Sequence, residues 1–160
     1  MKPVCIVMPG PSVQELEDRI QEFKDFDVTW ATVCGWEVLL QYFILDKIDK
    51  KFKVVFDERF IKFNVGMFGN LLADLVIRGC SPIFLFGCDG GELKSYPNAY
   101  YKVRNRKCPD VTADSVKINS EFTNWTIGKK SEIYNVSIES NLGLFERITY
   151  DEAILKLKGF

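Results

Sequence analysis

Residues 3–24 read PVCIVMPGPSVQELEDRIQEFK, and the two halves of this stretch follow different periods. The run at 3–8 is almost wholly apolar, the pattern of a short strand buried on both faces. From residue 13 onward Val13, Leu16, Ile20 and Phe23 recur at spacings of three and four, the stripe of an amphipathic helix. Between them lies Met8-Pro9-Gly10-Pro11-Ser12. Gly10 permits close approach of another backbone, Pro11 stiffens the loop, and Ser12 with Glu15 three residues later predicts a capping box. The stretch is therefore a strand-loop-helix unit.

The same alternation continues along the chain. DVTWATVC at 27–34 predicts a second strand, WEVLLQYFILDKI at 36–48 a packed helix, and KFKVVFD at 51–57 a third strand. Residues 65–78, VGMFGNLLADLVIR, place Met67/Phe68, Leu71/Leu72 and Leu75/Val76 one turn apart, with Gly79 as the stop. PIFLFG at 82–87 is then a continuous apolar strand that runs into CDGG. Apolar strands alternating with helices across short Gly/Pro loops predict an α/β fold, a doubly wound and mostly parallel sheet with helices on both faces. From about 92 to 110 the periodicity fails, which predicts a lid-like loop. Beyond it a polar helix at 112–124, a strand at 132–137 and a last helix at 149–158 are expected, the last with Thr149 as cap and Glu152 as its third-position acid.

Bulk properties narrow the function. A chain of 160 residues, 47% hydrophobic and 27% charged, is long enough for one domain with a real core. Its formal net charge of −1 argues against a chain-wide surface for nucleic acid or anionic membrane, so any contact with a polyanion is local. No apolar run approaches the roughly 20 residues that span a bilayer, and no signal-like start precedes the first strand. A cytoplasmic protein without a membrane span is expected. The cysteines at 5, 34, 80, 88 and 108 are odd in number and form no CxxC pair, which predicts reduced, mostly buried thiols. Histidine is absent. Ser-His-Asp, Cys-His and His-zinc chemistry are thereby excluded within this chain.

Two loops are candidates for a site. In a parallel α/β sheet the ligand crevice lies at the C-terminal ends of the strands, and a helix start there suits phosphate. Gly10, Pro11 and Ser12 occupy the first such loop, although a tight turn with no ligand explains the same residues. Gly87 and Asp89 occupy the end of the strand expected to be central. A carboxylate there can hold a ribose hydroxyl, a magnesium ion or a reacting hydroxyl, and an Asx turn or helix cap is the structural alternative. Asp57 ends a strand in the same way, and a solvated turn accounts for it equally. In the lid-like segment Lys102, Arg104, Arg106 and Lys107 form a cationic cluster beside Tyr96, Tyr100 and Tyr101. It could neutralise a leaving group and stack a ring, or be a solvated basic loop.

VCIVMPGPSVQELE, FDVTWATV, FKVVFDERF, NVGMFGNLLADLVIRGCSPIFLFGCDGG and EIYNVSIESNLGLFERITYDEAI occur in this order over most of the chain. Together they resemble the 6-hydroxymethylpterin diphosphokinase MptE-like family and the related bacterial sialyltransferases. The resemblance implies one Rossmann-like domain over residues 1–160 that binds a nucleotide or nucleotide-sugar. It implies a phosphate-side loop at Gly10, Pro11 and Ser12, and nucleotide contacts at Thr32, Asn64, Gly66, Gly87 and Asp89. Thr32 stands where the sialyltransferases carry an asparagine, and Asn64 and Val65 stand where hydroxyl residues are common. The sialyltransferases also use a histidine base, so a histidine-based sialyl transfer is excluded here. Diphosphate transfer needs aligned phosphates, magnesium and cations more than a strong base. Asp89 is then the catalytic and metal candidate, and Lys102, Arg104, Arg106 and Lys107 the phosphate clamp.

The expected function is a nucleotide-dependent transferase domain, with magnesium and a nucleotide or nucleotide-sugar donor and an unidentified acceptor. A non-catalytic nucleotide-binding module or subunit is the first alternative. A nucleic-acid-binding protein using the basic loop at 100–107 is the second. A homo-oligomer is compatible with any of these.

Overall fold

A computed structural model describes residues 2–8, 10, 12–33, 37–55, 66–88, 131–138, 140 and 145–160. The first unit forms as its two periods predict, with β1 at Val4–Val7 and α1 at Val13–Arg19, extended by a 3-10 turn at Ile20–Phe23. β2 spans Thr29–Val33 and β3 spans Phe52–Val55. Between them the expected helix is divided into α2 at Glu37–Leu40, a π turn at Gln41–Leu45 and α3 at Asp46–Ile48. The wider turn keeps Phe43 and Ile44 in the core while the Tyr42 hydroxyl donates to Glu17 of α1 at 2.9 Å. α4 at Gly66–Ile77 and β4 at Ile83–Phe86 follow, then β5 at Ile133–Asn135, β6 at Glu146–Arg147 and α5 at Tyr150–Leu157.

The six strands form one sheet in the order β3-β2-β1-β4-β5-β6, with every neighbouring pair parallel. Construction proceeds outward from β1 to β3, then returns to the other side of β1 at β4. This is the doubly wound, Rossmann-like arrangement, and its point of reversal lies between β1 and β4.

Side-chain alternation along the central strands explains why they read as unbroken apolar runs. Cys5, Val7, Phe84 and Phe86 enter one core with Val13, Leu16, Phe23 and the helical residues Phe43, Ile44 and Ile154. Val4, Ile6, Ile83 and Leu85 enter the opposite core with Leu71, Leu72 and Val76 of α4. Both faces are thus covered, and neither face of these strands can be polar. At the centre of the first core Phe23 stands edge-on to Phe86, Trp30 and Tyr150, at ring-centroid separations of 5.5, 6.1 and 6.4 Å. Such pairs are worth about 0.5–1.5 kcal/mol each beyond the area they bury.

Two local expectations separate here. Thr149 and Glu152 form the full capping box: Thr149 is extended (φ −77, ψ 166), its side chain accepts from the Glu152 amide, and Glu152 accepts from the Thr149 amide. Ser12 and Glu15 do not. Ser12 is already helical (φ −65, ψ −12) and makes no capping bond from its side chain, while the Glu15 amide donates to the Ser12 carbonyl at 3.2 Å. A cap needs an extended residue to turn its oxygen back on the helix start, and Ser12 is not one. β6 is the element the sequence did not announce. Both of its residues are exposed and polar, and they pair with Tyr134 and Asn135.

No helix among the described residues is long and apolar enough to cross a membrane. The lid-like loop at 92–110, the helix at 112–124, and Asp57 lie outside the described residues.

Candidate functional site

The crevice of a doubly wound sheet opens where the exits of the two strands flanking the reversal diverge, so the exits of β1 and β4 define the candidate site. They are tied together before they part. The Met8 amide donates to the Phe86 carbonyl at 2.8 Å and the Gly10 amide to the Gly87 carbonyl at 2.7 Å. Gly10 is buried, and its carbonyl accepts from the Val13 amide at 3.0 Å, which closes the loop onto α1.

Gly87 makes this approach possible. Its φ of +69 is the left-handed region, and a Cβ on it would lie 1.9 Å from the Met8 carbonyl oxygen and 3.1 Å from the Val13 Cβ. No other residue fits there. The glycine expected to contact nucleotide therefore has a demonstrable structural task, which is to let the first loop lie on β4.

Thr32, at the tip of β2, is fully buried, and its hydroxyl donates to the Val7 carbonyl at 2.8 Å. The β1–β2 ladder is registered up to Ile6 and Ala31. Past that point a side chain replaces the backbone donor and keeps the carbonyl satisfied. Gly66 is the first residue of α4. Of the remaining expected site residues, Pro11, Asn64, Asp89, Lys102, Arg104, Arg106 and Lys107 lie outside the described residues. The structure thus brings Gly10, Ser12, Thr32 and Gly87 to the tips of β1, β2 and β4.

Three further residues were not assigned a role from sequence. Asn135, at the end of β5, is fully buried, and its amide nitrogen donates to the Cys88 carbonyl at 2.9 Å and to the Ser140 hydroxyl at 2.8 Å. Ser140 donates to the same carbonyl at 2.9 Å. Two donors on one carbonyl hold the chain as it leaves β4. On the other side, the Tyr150 hydroxyl donates to the Ser12 carbonyl at 3.0 Å, which ties the first loop to α5. Arg19 strengthens that contact by bonding Asp151 at 2.6 Å and lying 5.8 Å over the Tyr150 ring. Asn135 and Ser140 carried one signal in the sequence, polar residues at and beyond the end of a strand; nothing local indicated their partner 47 and 52 residues away.

Four of the five buried polar residues among those described, Thr32, Asn135, Ser137 and Ser140, lie at or just past the ends of β2 and β5; Asp74 of α4 is the other. All four are neutral. The described tips therefore offer hydroxyl and amide groups, and no group of three His, Cys, Asp or Glu suited to a metal ion occurs among the described residues. Among the described cysteines, Cys5 and Cys88 are buried and Cys80 is half-buried. Burial pushes the Cys5 thiol far above the ordinary range, so it packs as a small apolar group.

Compared with family models, with curated proteins and with solved structures, the chain matches none.

Proposed function

We propose that this chain is a nucleotide-dependent transferase domain, diphosphokinase-like or glycosyltransferase-like, that binds a nucleotide or nucleotide-sugar at the C-terminal edge of its sheet. The observation that carries the reading is the reversal of strand order between β1 and β4, with a glycine loop leaving β1 directly over Gly87. Sheets of this kind take their ligands at that point.

In this reading Gly10 shapes the loop, because its own amide is engaged by Gly87, and Pro11 and Ser12 form the phosphate side. Asp89 would hold the ribose or a magnesium ion. Thr32 would border the crevice without lending its hydroxyl, which the Val7 carbonyl engages. Asn64 and Gly66 would contact the donor, and Lys102, Arg104, Arg106 and Lys107 would neutralise the leaving phosphate. Magnesium, when bound, would neutralise phosphate charge. The described tip residues are neutral, so this part of the reading rests on Asp89 alone.

Titration calorimetry with CMP, CDP, ATP and GTP, each with and without magnesium, tests it. Binding of at least one nucleotide below millimolar concentration is expected; no binding by any of them overturns the proposal. The engagement of the Thr32 hydroxyl within the sheet favours a second reading, in which the same pocket binds a nucleotide without catalysis. Asp89→Asn separates the two. An enzyme loses turnover with its fold intact, whereas a binding module shows no turnover to lose in a broad donor screen.

A further inference from the structure

The Asn135 amide is oriented by chemistry. The Cys88 carbonyl can only accept, and the Ser140 hydroxyl also donates to it, so the Asn135 nitrogen must face both. That leaves Oδ1 turned away from these partners, buried, and without a hydrogen bond. A buried amide oxygen with no donor costs about 1–3 kcal/mol, and folded proteins keep few of them.

Two residues further on lies Ser137, 8% exposed. The Asn135 oxygen at this exit is thus held out of water without the partner that would offset its desolvation.

We propose that the exit of β5, formed by Asn135 and Ser137 beside the Cys88 carbonyl, is a recognition subsite for a neutral hydrogen-bonding group of the nucleotide, a hydroxyl or amino group that donates to Asn135 Oδ1. The inference rests on the nucleotide reading and adds to it which part of the ligand lies on which side of β4. An amide oxygen is an acceptor and repels phosphate oxygens, and Asn135, Ser137 and Ser140 carry no charge to compensate a phosphate's lost hydration. The phosphates therefore belong to the β1 side and the sugar or base to the β5 side. Ser137 is the more open of the pair; Asn135 is reached only by a ligand that displaces the atoms covering it.

Calorimetric titrations of CMP, ATP and inorganic pyrophosphate into the whole chain, for wild type and Ser137→Ala, test this together with thermal melts of both proteins. Ser137→Ala should melt close to the wild-type temperature, because the bonds that hold the β5 exit, from Asn135 and Ser140 to Cys88, do not use its hydroxyl. It should bind the nucleotide about three- to tenfold more weakly, the range expected for one hydrogen bond, and leave pyrophosphate binding unchanged. In nitrogen-proton correlation spectra the Asn135 side-chain amide should shift with nucleotide and not with pyrophosphate. Titrations of dCMP and UMP distinguish the donors, since weaker dCMP assigns a sugar hydroxyl and weaker UMP the base amino group. Equal binding of CMP, dCMP and UMP overturns the assignment to the 2′-hydroxyl or the base amino group. Nucleotide binding that ignores Ser137→Ala and leaves Asn135 unshifted overturns the subsite while the nucleotide reading stands. Absence of nucleotide binding by wild type overturns both.

Discussion

The Tyr150 hydroxyl donates to the Ser12 carbonyl across 138 residues of chain, at 3.0 Å. The ring itself is 2% exposed and packs against Phe23 and Phe86, so the hydroxyl is a polar tip on a buried aromatic cluster. Tyr150→Phe keeps the packing and removes the bond. A loss of about 1 kcal/mol is expected, seen as a fall of about 2–4 °C in Tm in a thermal melt of a chain this size. An unchanged Tm would show that this tie contributes nothing to holding the loop.

Gly87 and Gly79 both have positive φ, at +69 and +73, but only Gly87 is crowded. Around a Cβ at Gly79 nothing lies within 4 Å, so Gly79→Ala carries only the left-handed strain, about 1–2 kcal/mol. Gly87→Ala adds a collision with the Met8 carbonyl and must push β1 and β4 apart. It should lose more than about 3 kcal/mol, or fail to fold, in urea unfolding followed by circular dichroism. Equal losses in the two variants would contradict the packing of the first loop on β4.

Thr32→Val keeps the shape of a fully buried side chain and leaves the Val7 carbonyl without its donor. The cost should be about 1–3 kcal/mol in chemical denaturation. Because the hydroxyl faces the sheet, nucleotide affinity should change by less than about twofold once the protein is folded. A large selective loss of affinity would instead place Thr32 in direct contact with the ligand.

The α5 cap predicts an acid-sensitive contribution to stability. The Thr149 amide, and secondarily its hydroxyl, lower the Glu152 carboxyl below the usual glutamate range. A group whose folded pKa is depressed stabilises above its unfolded pKa and loses that contribution as pH falls through the folded value. Glu152→Gln should therefore melt below wild type at pH 7 and converge with it near about pH 3. Melting curves that differ by the same amount at both pH values would remove the carboxylate from the account. Thr149→Ala, which deletes the other half of the box, should cost about 1 kcal/mol.

How legible each part was depended on how far apart its partners lie. Strands β1 and β4 were readable because burial on both faces leaves no polar position, and the final cap because Thr149 and Glu152 are three residues apart in an extended-to-helix step. The same spacing misled at Ser12, where bonds from Val13 to Gly10 and from Gly10 to Gly87 hold the residue in a helical conformation. β6 was invisible because two exposed polar residues have no strand signature of their own; the open edge of β5 provides their pairing.

From composition and periodicity alone followed a parallel α/β chain without histidine chemistry, with its glycines and polar residues at the strand ends. Those are local properties, set by which side chains water rejects and which backbones tolerate tight turns. Only the folded chain decided that Gly10 meets Gly87, that Thr32 turns inward to Val7, and that Asn135 and Ser140 converge on Cys88. Each of these is a hydrogen bond between distant segments, and its geometry exists only after the sheet has brought their ends together.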